Sequence, residues 1–115
     1  PDLPALMTRH DDTANALIAA GIASNDEIWR LPLPGSYRDW LSSDVADINN
    51  IASNTFAGAS VAGLFLNEFV DPDIDWAHFD TFAWRPNAKP GRPAGGAALG
   101  LRASYHMLLS RYTKN

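Results

Sequence analysis

The chain has 115 residues, 46% hydrophobic and 19% charged, which allows one domain with a modest core. A formal net charge of −4 gives no electrostatic basis for binding nucleic acid or an anionic membrane. With no cysteine there is no disulfide frame, thiolate metal site or thiol nucleophile, which suits a cytoplasmic protein.

Residues 1–10 read as an irregular start, with prolines at 1 and 4, and a first residue that is not methionine is read as truncation. Asp11, Asp12 and Thr13 offer caps for a helix that ends near Ser24-Asn25. Ala14, Leu17, Ile18, Gly21 and Ile22 recur at helical spacing and predict its buried face. Residues 28–33 are extended, because Pro32 and Pro34 push their predecessors out of helical geometry. Ser36 is expected to cap a short helix with Tyr37, Trp40 and Leu41 on one face, and Val45 to Ile51 reads as a strand.

From Ala57 to Val70 the pattern is helical and apolar nearly all round, as in a helix covered on most sides. The stretch contains Asn67 and Glu68 and is too short to span a bilayer. Asp71-Pro72-Asp73 ends it, and Trp76 to Ala83 forms a short strand. A Pro/Gly-rich loop, Arg85 to Gly96, is expected to cap a last helix from about Ala97 to Tyr112. That helix carries Ala98, Leu101, Tyr105, Leu108 and Tyr112 on one stripe. Two or three strands among these helices predict an α/β fold, a partial sheet covered by helices on both faces. So few strands do not make a self-sufficient layer, so the rest of the sheet is expected from sequence outside this chain.

The chemical constellations are weak. His78 and Asp80 are two apart on a strand and share a face, as a metal-binding pair would, but two ligands do not close a site. A structural role, with Asp80 a buried hydrogen-bond acceptor, outweighs ligation. His10 with Asp11 and Asp12 could meet a hard cation, yet acidic residues at a helix start are explained by the helix dipole. Asp71, Asp73 and Asp75 have calcium-loop spacing, but Trp76 stands where glycine is needed and Phe82 where glutamate is. Lys89 to Gly96 lacks the ending of a P-loop, and no serine sits in a nucleophile elbow. Trp29, Trp40, Trp76 and Trp84 could stack a sugar, but core packing is their commoner fate.

Five motifs in order change the picture. Trp29-Arg30-Leu31-Pro32-Leu33 followed by Tyr37, Ala46-Asp47 with Asn50, Phe65-Leu66 with Phe69, Trp76-Ala77-His78-Phe79-Asp80, and Gly91-Arg92-Pro93 span nearly the whole chain. In this order they resemble the leucyl (cytosol) aminopeptidase family, in the C-terminal part of its catalytic domain. The resemblance makes residues 1–115 a single partial domain, the C-terminal half of a larger α/β peptidase domain. It implies a dinuclear-metal exopeptidase that removes N-terminal residues, often leucine, from peptides, with two divalent ions (manganese or zinc) activating a bridging water. It further implies a cytoplasmic hexamer whose remaining catalytic domain partners this segment.

The family's ligands are aspartates, a glutamate and a lysine, with an Asn-Thr-Asp-Ala-Glu-Gly-Arg motif beside them. None of these motifs occurs here, so no catalytic or metal residue is assigned and this chain alone is expected to bind no metal. Where many members read Ile-Ala-Gly after the His-Leu-Asp strand, this chain reads Thr81-Phe82-Ala83-Trp84 and is two residues shorter. Thr81, Phe82 and Ala83 are therefore the candidates for the wall of the substrate pocket. The competing reading is a non-catalytic assembly or binding module.

Overall fold

The computed structural model describes residues 2–113. Its main sheet has three strands: β1 (Ala5–Met7) in the centre, β2 (Trp29–Arg30) parallel on one side, and β3 (His78–Asp80) antiparallel on the other. β1 lies where an irregular start was expected. Three residues after a buried proline are too short a run to show a period, and pairing on both sides is what makes them a strand. Trp29 N–H donates to the Pro4 carbonyl and Leu31 N–H to that of Leu6, at 3.0 and 2.8 Å.

Alternation along β1 divides the core. Leu6, fully buried, faces helix α1 (Asp11–Ala23) and clusters with Ala14 and Leu17, flanked by Phe79 and Met107. Met7, its neighbour, faces the other side, where helix α2 (Gly58–Asn67) approaches so closely that a Cβ on Gly63 would lie 3.1 Å from the Met7 sulfur. Helices thus cover both faces of the sheet, as the strand count predicted. Among the described residues no helix is long and apolar enough to cross a membrane.

A 3-10 helix, Gly35–Leu41, packs beside α2, with Tyr37 and Trp40 stacked at 4.1 Å and Leu41 buried against Val61 and Leu64. Its N-cap is Pro34, and Ser36 lies inside it. Residues 45–51, expected as a strand, are irregular. Ser43 Oγ accepts the N–H groups of Val45 and Ala46, and Asn49 Oδ1 that of Ile51, so local side chains take the donors a ladder would need. α2 is covered on one side only: Val61, Gly63 and Leu64 are buried, while Ala62, Leu66 and Phe69 are exposed.

The Pro/Gly-rich segment is a hairpin rather than a loop. β4 (Trp84–Arg85) pairs with β5 (Gly95–Gly96), and Lys89 and Arg92 exchange two 2.8 Å backbone bonds around Pro90-Gly91. Gly91, at φ +69°, supplies the left-handed residue such a turn requires. The cap of helix α3 (Leu101–Tyr112) comes from elsewhere. The buried Asp26 accepts the Gly100 N–H on Oδ1 at 3.0 Å and those of Arg102 and Ala103 on Oδ2 at 2.9 and 3.1 Å.

The packed face of α3 also differs from the expected stripe. Ala103 is buried and Met107 half-buried against α1, while Leu101, Tyr105, Leu108 and Tyr112 face outward. The reason is a contact between small residues: the Ala103 Cβ lies 3.5 Å from where a Gly21 Cβ would stand. Periodicity weights bulky side chains and misses a seam made of glycine and alanine. Trp29 and Trp84 are exposed as well, against the expectation of core packing.

Candidate functional site

A cavity of about 600 Å³ lies between α2 and the end of β3. Its apolar floor is Leu41, Val61, Phe65 and Leu66, and its rim carries Asn50, Asn54, His78, Asp80 and Thr81. His78 pairs with Met7 across the sheet, which puts His78 and Asp80 on the α2 side, the shared face that their spacing predicted. The His78 ring stacks on Trp76, 6.3 Å between centroids and 9° between planes. Asp80, expected to be a buried acceptor, is exposed, so its removal orphans no buried donor.

Of the three pocket-wall candidates, Thr81 lines this cavity and its Oγ accepts the Ala83 N–H at 3.2 Å. Phe82 is 60% exposed beyond the rim, and Ala83 takes a left-handed φ of +54° at the turn into the hairpin. Sequence reasoning missed Ala52 and Asn54 in the lining. Their only signal was the polar, asparagine-rich stretch with Asn49, Asn50 and Asn54, which marks an irregular segment.

The other constellations serve the fold. His10 meets the Ile74 carbonyl at 3.3 Å, and Asp11 pairs with Arg30 at 2.7 Å. Asp71 accepts the Asp73 N–H, while Asp75 lies within 2.8 Å of Thr13 Oγ1 and 2.7 Å of Arg111, joining α1 to the end of α3. Arg9, in the turn between β1 and α1, reaches Asn67 Oδ1 and the carbonyls of Val70, Asp71 and Ile74, securing the chain after α2. Among the described residues no three His, Cys, Asp or Glu side chains converge as a metal site. The described residues do not fit a resident ion.

The Asp75 contact gives a prediction. The Thr13 hydroxyl first, and the Arg111 guanidinium after it, hold the Asp75 carboxyl below the usual carboxylate range. A depressed carboxylate contributes stability that is present above its unfolded value, near 4, and is lost as pH falls through its folded one. Melting temperature followed from pH 5 downward should therefore fall less steeply in Thr13→Val than in the parent. Identical slopes would show that Asp75 does not couple to folding. The Arg38 guanidinium likewise lowers Glu68, so part of the slope should persist.

Ligand sites commonly take this form, a concave and mostly apolar cavity with a few polar groups at its rim. Residues 1–104 match the model of the cytosol aminopeptidase family, catalytic domain, and the chain belongs to that family. It is 37% identical over 112 residues to a probable cytosol aminopeptidase of Prochlorococcus marinus, covering 96% of this chain and 23% of that protein. A probable cytosol aminopeptidase of Caulobacter vibrioides is 38% identical over 114 residues, again 96% of this chain and 23% of the relative. The crystal structure of the cytosol aminopeptidase from Coxiella burnetii superposes with a TM-score of 0.94 at 50% identity, covering 98% of this chain and 25% of that one. The bottromycin maturation enzyme BotP in complex with Mn superposes at 0.87 and 30% identity, covering 96% and 25%. The chain thus spans about a quarter of the length of the relatives it matches.

Proposed function

We propose that residues 1–115 are the C-terminal segment of the catalytic domain of a dinuclear-metal aminopeptidase that releases N-terminal residues from peptides in the cytoplasm. The observation that carries this reading is the Coxiella burnetii likeness, 50% identity at a TM-score of 0.94 over 98% of the chain. In this role the segment supplies scaffold, one wall of the substrate pocket and contacts within a hexamer. The two divalent ions, manganese or zinc, belong to the remainder of the domain, a view supported by the BotP structure with Mn and by the lack of a ligand cluster among the described residues. Thr81, at the cavity, is the proposed wall residue at the end of β3, and Phe82 and Ala83, which do not line the cavity in this segment alone, are proposed to join it in the whole domain.

The test is a transplant. The Coxiella burnetii enzyme carrying this chain in place of its matching quarter should hydrolyse leucyl and alanyl anilides in the presence of manganese or zinc. The 115-residue chain by itself should not, with either metal. A chimera that folds but does not turn over would overturn the reading. So would metal-dependent turnover by the chain alone that survives repurification. Thr81→Trp in the chimera should change the ratio of leucyl to alanyl rates, and an unchanged ratio would remove Thr81 from the wall.

A further inference from the structure

α3 has two apolar faces. Ala103 and Met107 are set against α1, and roughly opposite them Leu101, Tyr105, Leu108 and Tyr112 make a second stripe, 60%, 59%, 46% and 72% exposed. Their spacing of four, three and four residues is that of a seam against another helix. An ordinary surface helix is polar on this side. In a layer of helices on a sheet, the side away from one neighbour is where the next element of the layer sits.

The shape of the molecule says that this layer is unfinished. The chain is a slab of 50 × 40 × 18 Å with a radius of gyration of 16.1 Å. A compact domain of this length would have about 13 Å. The stripe must therefore be covered, and a second copy of the chain covers it poorly. α3 holds Arg102 and His106 with no acidic residue of its own, and Arg111 is already paired with Asp75, so two such helices face to face would offer Arg102 no opposite charge. Relatives four times as long have chain enough to cover it.

We infer that the Leu101–Tyr105–Leu108–Tyr112 face of α3 is the surface on which the remainder of the aminopeptidase catalytic domain packs. The inference rests on the reading that this chain is one part of such a domain. The partner it fits is an apolar helix or strand face with an acidic group at its border, which would meet Arg102, whose guanidinium otherwise reaches only the Asn25 carbonyl.

Leu108→Asp separates the cases when placed both in the chain alone and in the Coxiella burnetii chimera, each followed by thermal melting and by mass from light scattering. In the chimera it should lower the melting temperature by about 5 °C or more, since a charge would enter a buried seam. Tyr112→Ser, a milder change, should lower it less. In the chain alone both should leave the melting temperature within about 2 °C, as surface changes do. A folded chimera indifferent to both substitutions would overturn the assignment of this surface while leaving the family reading in place. A chimera that never folds would bring down that reading and the inference with it. A chain that self-associates and becomes monomeric on Leu108→Asp would make a second copy the occupant, which also overturns the inference.

Discussion

Replacing Asp26 with alanine is expected to destabilise the chain by about 2–3 kcal/mol, a loss of roughly 10 °C in melting temperature for a chain this size. One carboxylate serves three N–H groups at the start of α3, and two of their residues, Gly100 and Ala103, are buried. The cap has no substitute nearby, since the N-cap residue is Gly100, at φ +82° with no side chain. The same residue fixes the turn after α1: the Asp26 N–H donates to the Gly21 carbonyl at 2.8 Å, and a Cβ on Gly21 would stand 2.7 Å from the Asp26 carbonyl oxygen. Loss of the cap therefore loosens the α1–α3 seam and the loop that leads into β2. Asp26→Asn keeps one acceptor but turns an amide N–H₂ toward donors, so it should lose nearly as much. If circular dichroism showed both variants melting with the parent, the carboxylate would not be the cap.

Nothing in the sequence marked Asp26. It lies 74 residues from the first backbone group it serves, and capping patterns are legible only when cap and helix are adjacent. The same limit explains β1, which is a strand only because β2 and β3 pair with it from residues 29–30 and 78–80. Signals within a few residues were legible. Asp11 and Asp12 marked the start of α1, although they lie in its first turn and the N-cap is His10, which makes no side-chain cap bond; Asp71-Pro72 followed the end of α2, and His78 to Asp80 formed a strand. The hairpin at Lys89-Pro90-Gly91-Arg92 could have been read from its Pro-Gly turn, but the abundance of prolines around it favoured a loop.

Of the site, the strand end was legible through His78, Asp80 and Thr81 and the motif that contains them. The floor was not. Leu41, Val61 and Phe65 come from two other elements, and their convergence depends on how near α2 sits to the sheet.

That distance is set at Gly63, the basis of the last prediction. A Cβ there would meet Leu33 Cδ2 at 3.0 Å and Met7 Sδ and Cβ at 3.1 and 3.2 Å. Alanine in place of a helical glycine is ordinarily worth about 0.5–1 kcal/mol in propensity. Here the gain is offset by contacts tighter than usual, although the Met7 thioether is flexible enough to give way. Gly63→Ala should therefore be close to neutral. Gly63→Leu asks for far more room than the few tenths of an ångström that Met7 can yield for a methyl group, because Met7 is fully buried. Overpacking of this kind costs about 1–3 kcal/mol and is relieved by shifting the helix. Lifting α2 from the sheet would move Val61 and Phe65 away from His78 and Thr81 and open the cavity at its floor. The pair of variants separates propensity from packing, and chemical denaturation reads both. Gly63→Leu as stable as Gly63→Ala would mean that α2 does not rest on Met7, and the cavity would lose the wall that this contact holds in place.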